Sequence, residues 1–78
     1  MRQLPLTQME EGRSGIVVEI MGGIGALRRL ELLGVRVGRK ITKISGMFMR
    51  GPVTVQVDHT QVGIGFGMAS KVIVEVKE

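Results

Sequence analysis

This chain of 78 residues has no cysteine, tryptophan or tyrosine, and it has one histidine and two phenylalanines. Without cysteine it can form no disulfide, no thiolate metal site and no cysteine nucleophile, which excludes the disulfide-rich class of small secreted domains. So few aromatic rings leave little material for stacking on nucleic acid bases. The stability of the fold must therefore come from the packing of aliphatic side chains.

Long hydrophobic runs are also lacking. No segment approaches the roughly 20 apolar residues of a membrane-spanning helix, and residues 1–8 lack the continuous apolar stretch of a secretory signal. No serine lies in a recognisable nucleophile motif, and no pair of carboxylates marks a cleft. The sequence predicts a cytoplasmic protein that is not an enzyme.

Apolar residues nevertheless make up 44% of the chain, which is enough for a folded domain. A domain of this size buries only about 60% of the surface that its unfolded chain exposes, so its core is small. We expect a single domain over residues 1–78. A small core favours association with a partner and leaves a homo-oligomer open.

Hydrophobic periodicity predicts strands interrupted by one helix. Ala26, Leu27, Leu30 and Leu33 recur at helical spacing and predict a helix over residues 26–33, and Gly34 follows where a left-handed helix cap is favoured. The predicted strands are 16–21, 39–49, 53–57, 61–64 and 71–76, with a helical turn over 65–70. This order predicts a mainly β fold, a small barrel of about five strands with one short helical insert.

Basic residues are concentrated in the middle of the chain, whose net charge is +4. Between positions 28 and 43 the single acid Glu31 is outnumbered by six basic residues, Arg28, Arg29, Arg36, Arg39, Lys40 and Lys43. A basic surface favours an acidic protein, a nucleic acid or a phospholipid surface as partner. Lysine and arginine are equally typical of a solvated surface, so both interpretations stay open here.

Two glycine clusters, 22–25 and 63–67, resemble phosphate-binding loops only in part. Arg28 and Met68 stand where the dinucleotide fingerprint needs a small third residue. We therefore expect tight turns and close backbone approach at both clusters rather than a phosphate site. Metal ligands are scarce as well, because His59 is the only histidine and Glu10 and Glu11 form a common adjacent pair.

Two segments combine large apolar residues with arginine. Segment 47–50 places three consecutive large apolar residues beside an arginine at a predicted hairpin end, so that one strand face there is exposed. On the helix, Leu32 projects between Arg28 and Arg29, away from the apolar stripe. We expect partner binding at eight residues: Arg28, Arg29, Leu32, Arg36, Met47, Phe48, Met49 and Arg50.

The chain resembles the ferrous iron transport protein A (FeoA) family from Leu4 to Val76. The resemblance is carried by the strand GIVVEI at 15–20, the helix exit RLELLGVRVG at 29–38, and the ending VGIG at 62–65 with ASKVIV at 69–74. It implies an SH3-like barrel with a helical insert. Members of that family are cytosolic accessories of a large membrane GTPase permease for ferrous iron.

The resemblance therefore implies a regulatory protein that binds such a permease and is peripheral to the membrane through it. The same module is similar to the C-terminal domain of iron-dependent repressors, so a metal-responsive regulatory domain is an alternative. Binding of a transition metal such as Fe²⁺ is associated with these families, but the residues of this chain do not support it and no cofactor is predicted. A basic nucleic-acid-binding module is the remaining alternative, although the shortage of aromatic residues argues against it.

Overall fold

The structure is a computed structural model, and it describes residues 1–45 and 51–77. In chain order the elements are β1 (Arg2–Pro5), a 3-10 turn (Leu6–Gln8), β2 (Ser14–Ile20), α1 (Gly23–Leu32), β3 (Lys40–Ser45), β4 (Val53–Val57), β5 (Thr60–Ile64), α2 (Phe66–Ala69) and β6 (Val72–Val76). The predicted mainly β architecture with a helix after the first long strand is confirmed.

The strands form one antiparallel sheet in the order β1-β6-β2-β3-β4-β5. The last strand in the sequence lies between the first two. Val74 of β6 is opposite Leu4 of β1 on one side and opposite Val17 of β2 on the other. Register shifts in the β2–β6 and β3–β4 pairs mark irregularities of the kind at which strands bend.

Alternation of side chains between the two faces of each strand determines the core. In β4 and β6 the first, third and fifth residues are buried and the two between them are half-buried. The alternation predicted for β4 is confirmed. The core cluster is almost entirely aliphatic: Leu4, Leu6, Met9, Val17, Leu30, Val35, Ile41, Val53, Val55, Val57, Ile64, Ala69, Val72, Val74 and Val76.

Helix α1 ends in a Schellman cap that depends on Gly34. The φ angle of Gly34 is +91°, its amide donates to the carbonyl of Glu31 at 3.0 Å, and the amide of Val35 donates to the carbonyl of Leu30 at 2.9 Å. These two bonds satisfy carbonyls that the end of the helix would otherwise leave unpaired. Leu30 and Val35 both belong to the core, so the cap also directs the loop after α1 toward the core. The predicted left-handed cap is confirmed.

Two details of the predicted helix are wrong. Helix α1 begins at Gly23 rather than Ala26, and Leu33 is 40% exposed rather than part of the buried stripe. Leu33 is the C-cap residue, one position after the last helical residue Leu32. The chain reverses at Gly34 and places Val35 in the core after it.

The prediction of about five strands omits β1. This strand has only four residues, one of them Pro5, and it pairs with β6 at the opposite end of the sequence. Short edge strands with proline carry a weak local signal. The bounds of β2, β4, β5 and β6 agree with the predicted bounds within two residues, and β3 is described as far as Ser45.

Candidate interaction surface

Helix α1 buries one side and exposes the other. Its buried residues are Ala26 and Leu30. Arg28 and Arg29 are exposed on the outer side, and Leu32 between them in helical projection is 87% exposed. The predicted position of Leu32 away from the apolar stripe is confirmed, and three of the predicted contact residues lie on one exposed helix face.

The remaining predicted contact residues lie elsewhere in the chain. Arg36 is exposed in the turn that follows α1. The hairpin residues Met47, Phe48, Met49 and Arg50 lie outside the residues that the structure describes. Their role in partner binding therefore stays a prediction from the sequence.

The first glycine cluster is a tight turn at the start of α1. Gly22 is the N-cap residue with φ = +95°, and a Cβ atom there would lie 2.8 Å from Cδ of Lys71. The structural interpretation of this cluster is confirmed. In the second cluster Gly65 is the N-cap residue of the four-residue helix α2, and only the expected close approach is wrong, because a Cβ added at Gly63, Gly65 or Gly67 would meet no atom within 4 Å.

A buried lysine fastens the segment that leads into β2. Lys43 of β3 is 5% exposed, and its ammonium group donates to the carbonyl of Met9 at 2.6 Å and to the carbonyl of Thr7 at 3.1 Å. Its backbone amide donates to the carbonyl of Arg13 at 3.0 Å, and its own carbonyl accepts from the amide of Gly12 at 2.6 Å. A buried charge is tolerated when it is hydrogen-bonded in this way. One residue thus holds both ends of the segment 7–13.

The burial of Lys43 was not predicted. A signal was available, because Lys43 is two residues from the buried Ile41 and therefore lies on the same inward face of β3. Its position in a run of basic residues made it look like a surface residue. The structure separates it from Arg28, Arg29 and Arg36, which are all exposed.

The same segment forms one wall of an open groove of about 730 Å³. The groove is lined by both charge signs: Glu10, Glu11, Gly12, Arg13, Ser14, Gly15, Ile16, Lys40, Glu75 and Lys77. Gln3 donates to the carboxylate of Glu75 at 3.3 Å, and the guanidinium of Arg13 donates to the carbonyl of Lys77. Sequence reasoning missed the groove because its walls come from separate parts of the chain.

Acidic and histidine side chains do not converge in the described ranges. Within residues 1–45 and 51–77, no three such groups come together as a set that could hold a metal ion. His59 is exposed in the turn between β4 and β5, and Glu10 and Glu11 are exposed as well. A chain with one histidine and no cysteine does not fit a resident transition metal ion.

In the described part of the chain, neither helix is long and apolar enough to cross a bilayer.

The sheet order, the inserted helix and the aliphatic core define a small SH3-like β domain. The model of the FeoA domain matches residues 4–76, and the chain belongs to this family. A relative from Methanocaldococcus jannaschii, named provisionally as Fe(2+) transport protein A, is 36% identical over 74 residues, which cover 95% of this chain and 88% of the relative. The predicted family membership is confirmed.

Solved structures agree with this assignment. The crystal structure of an iron uptake regulatory protein, FeoA, is 35% identical and superposes with a TM-score of 0.87 over 96% of this chain and 97% of that one. The predicted SH3-like fold is confirmed. A manganese-dependent transcriptional repressor superposes with a TM-score of 0.86 over 96% of this chain but only 42% of its own, at 20% identity. That likeness concerns the fold alone.

Proposed function

We propose that this protein is a small cytoplasmic accessory of ferrous iron uptake that acts by binding a membrane iron permease with a GTPase domain. The observation that carries the proposal is the 36% identity with an Fe(2+) transport protein A across 95% of the chain. Family membership over residues 4–76 supports a role shared by the whole domain rather than by a local motif. Iron is the cargo of the partner and not a ligand of this chain.

The surface of the domain supports a role in binding rather than catalysis. The outer face of α1 presents Arg28, Arg29 and the protruding Leu32, and Arg36 is exposed in the following turn. Arginine beside exposed apolar side chains is typical of protein interfaces. We assign partner contact to these residues and to the hairpin residues Met47, Phe48, Met49 and Arg50.

The experiment is affinity capture of binding proteins from native membranes solubilised in detergent, with nuclease present and bound proteins identified by mass spectrometry. We expect enrichment of a polytopic GTPase permease. The double substitution Arg28→Glu and Arg29→Glu should weaken capture, whereas Lys40→Glu with Lys77→Glu makes the same change of net charge elsewhere and should not. The variant Phe48→Asp tests the hairpin in the same way.

Two results would contradict the proposal. If no permease is enriched and nucleic acid is recovered when nuclease is omitted, the basic nucleic-acid-binding alternative replaces it, and the affinity would then fall log-linearly with salt. If addition of a divalent transition metal raises the thermal midpoint of the isolated protein, the metal-responsive alternative is favoured, although the chain has few metal-ligating residues.

A further inference from the structure

The outer face of α1 carries a regular stripe of three exposed residues. Ile24, Arg28 and Leu32 are spaced four residues apart and therefore lie above one another on successive turns. Ile24 is 64% exposed and Leu32 is 87% exposed, and Arg28 lies between them. The stripe is about 12 Å long at 1.5 Å per residue. Arg29 flanks it on one side and is exposed too.

The described part of the chain leaves this stripe uncovered. Helix α1 meets the core through Ala26 and Leu30, on the opposite side. Two clefts of the described residues lie elsewhere, one lined by residues 10–16, 40, 75 and 77 and the other by Lys40, Thr42, Gln56 and Asp58. The only acid in α1, Glu31, is half-buried. Glu31 follows Arg28 by three residues and borders the stripe, so the outer face is convex, apolar at both ends, and carries two arginines against one half-buried carboxylate in the middle.

We propose that this face binds the surface of an anionic phospholipid bilayer. Arginine guanidinium groups pair with lipid phosphates while their alkyl stems lie along the apolar boundary. Ile24 and Leu32, one turn to either side, would enter the boundary between headgroups and acyl chains. A bilayer accepts such a convex face without a matching groove, and its negative charge complements Arg28 and Arg29. This proposal goes beyond the proposed function: the face binds lipid before the permease is met, and because Arg28, Arg29 and Leu32 cannot contact both partners at once, the permease then displaces the lipid from them.

The expected binding is weak and reversible. Each arginine near an anionic membrane surface increases partitioning about fivefold. Two arginines with two partly inserted aliphatic side chains resemble a single weak membrane signal, which is insufficient for permanent anchoring. The lipid contact restricts the search of the domain to the membrane surface, until the stronger contact with a membrane protein replaces it.

The test uses the full chain and vesicles without any other protein. Vesicles of phosphatidylcholine alone are compared with vesicles of equal parts phosphatidylcholine and phosphatidylglycerol by co-sedimentation at low and at high salt. We expect binding to the anionic vesicles only, and weaker binding as salt screens the charges. Arg28→Glu with Arg29→Glu should reduce partitioning about 25-fold or more, and the matched pair Lys40→Glu with Lys77→Glu should retain most of it.

Apolar insertion is measured separately. The chain has no tryptophan, so Ile24→Trp introduces a single fluorophore into the stripe. Its emission should shift to the blue when anionic vesicles are added, because the indole ring moves out of water. Ile16→Trp, at a position in β2 that is 41% exposed and lines the groove, should show no shift.

Either of two outcomes would overturn the proposal. An equal loss for the two charge-reversal pairs would mean that binding follows net charge and not this face. A blue shift at both tryptophan positions, or binding that needs a reconstituted permease in the vesicles, would likewise reject lipid as the occupant of the stripe. Failure of the permease capture described above has no effect on these measurements, so the two proposals fail independently.

Discussion

The ammonium group of Lys43 donates a hydrogen bond of 2.6 Å to the backbone carbonyl of Met9. The bond connects the middle of the sheet to the segment before β2, which has no strand of its own to hold it. Lys43 also donates to the carbonyl of Thr7, so its ammonium group is held by two carbonyl groups in a nearly buried site. Lysine is usually a surface residue, but this lysine is buried and fixes the position of a loop.

Replacing Lys43 should destabilise the fold. Lys43→Met keeps an unbranched apolar side chain, one atom shorter than that of lysine, but leaves the carbonyls of Thr7 and Met9 without this donor, which costs about 1 to 3 kcal/mol. Lys40→Met is the matched control on the same strand, exposed and expected within about 0.5 kcal/mol of the parent. Urea unfolding followed by circular dichroism measures both. Equal midpoints for the two variants would show that the buried bonds contribute nothing net.

Substitution by alanine should lower the stability of the fold at Gly34 and raise it at Gly25. Gly34→Ala places a side chain at φ = +91° and should cost about 1 to 2 kcal/mol, even though its Cβ would have an ordinary 3.5 Å contact with Val57. Gly25→Ala lies in the helix with open space around it and should stabilise by about 0.5 to 1 kcal/mol. Thermal unfolding of both variants decides the point, and loss of stability in both would contradict it.

Replacing Leu30 or Leu32 of α1 by alanine should change the free energy of unfolding by very different amounts. Leu30→Ala removes a fully buried side chain from the core and should cost about 2 to 5 kcal/mol. Leu32→Ala removes an exposed side chain and should stay within about 0.5 kcal/mol of the parent. The free energy of unfolding in urea compares them directly. A large loss at Leu32 would mean that its outer face is covered by a second copy of the chain at the concentration used.

The stability of the turn after β4 should depend on the backbone conformation of Asp58 more than on its ion pair. Asp58 pairs with Arg39, but both side chains are substantially exposed, and Asp58 has φ = +56°. Asp58→Asn keeps a residue that tolerates this conformation and should cost less than about 1 kcal/mol. Asp58→Val loses that tolerance and should cost about 1 to 2 kcal/mol more. The small Asn effect should shrink at high salt, and an Asn variant as unstable as the Val variant would reject this ranking.

Sequence reasoning succeeded where structure is decided locally. The left-handed position of Gly34 and the outward position of Leu32 follow from helical spacing and cap chemistry alone. It failed at β1 and Leu33 for two different reasons. β1 exists because β6, at the other end of the sequence, provides its hydrogen-bonding partner. Leu33 follows the last helical residue, and the Schellman cap turns the chain so that Val35 rather than Leu33 enters the core.

The candidate surface was likewise predictable only where it depends on local structure. Exposure of Arg28 and Arg29 follows from the helix that bears them, so the projection placed them correctly. The buried state of Lys43 and the groove beside residues 10–16 depend on how β3 lies against a segment about 30 residues earlier in sequence. A count of charges treats all basic residues alike, so it cannot separate the buried Lys43 from the exposed Arg28 and Arg29.

The position of β6 between β1 and β2 also constrains when the protein can fold. As the chain leaves the ribosome, β1 and β2 emerge first but have no hydrogen bonds to each other, since each is paired with the strand made last. Domains generally fold as units, so β1 must wait for Val72–Val76 before it can join the sheet that β2 forms with β3, β4 and β5. A ribosome stalled before these residues would display an incomplete sheet, and proteolysis of such nascent chains should be fast until the final strand has emerged.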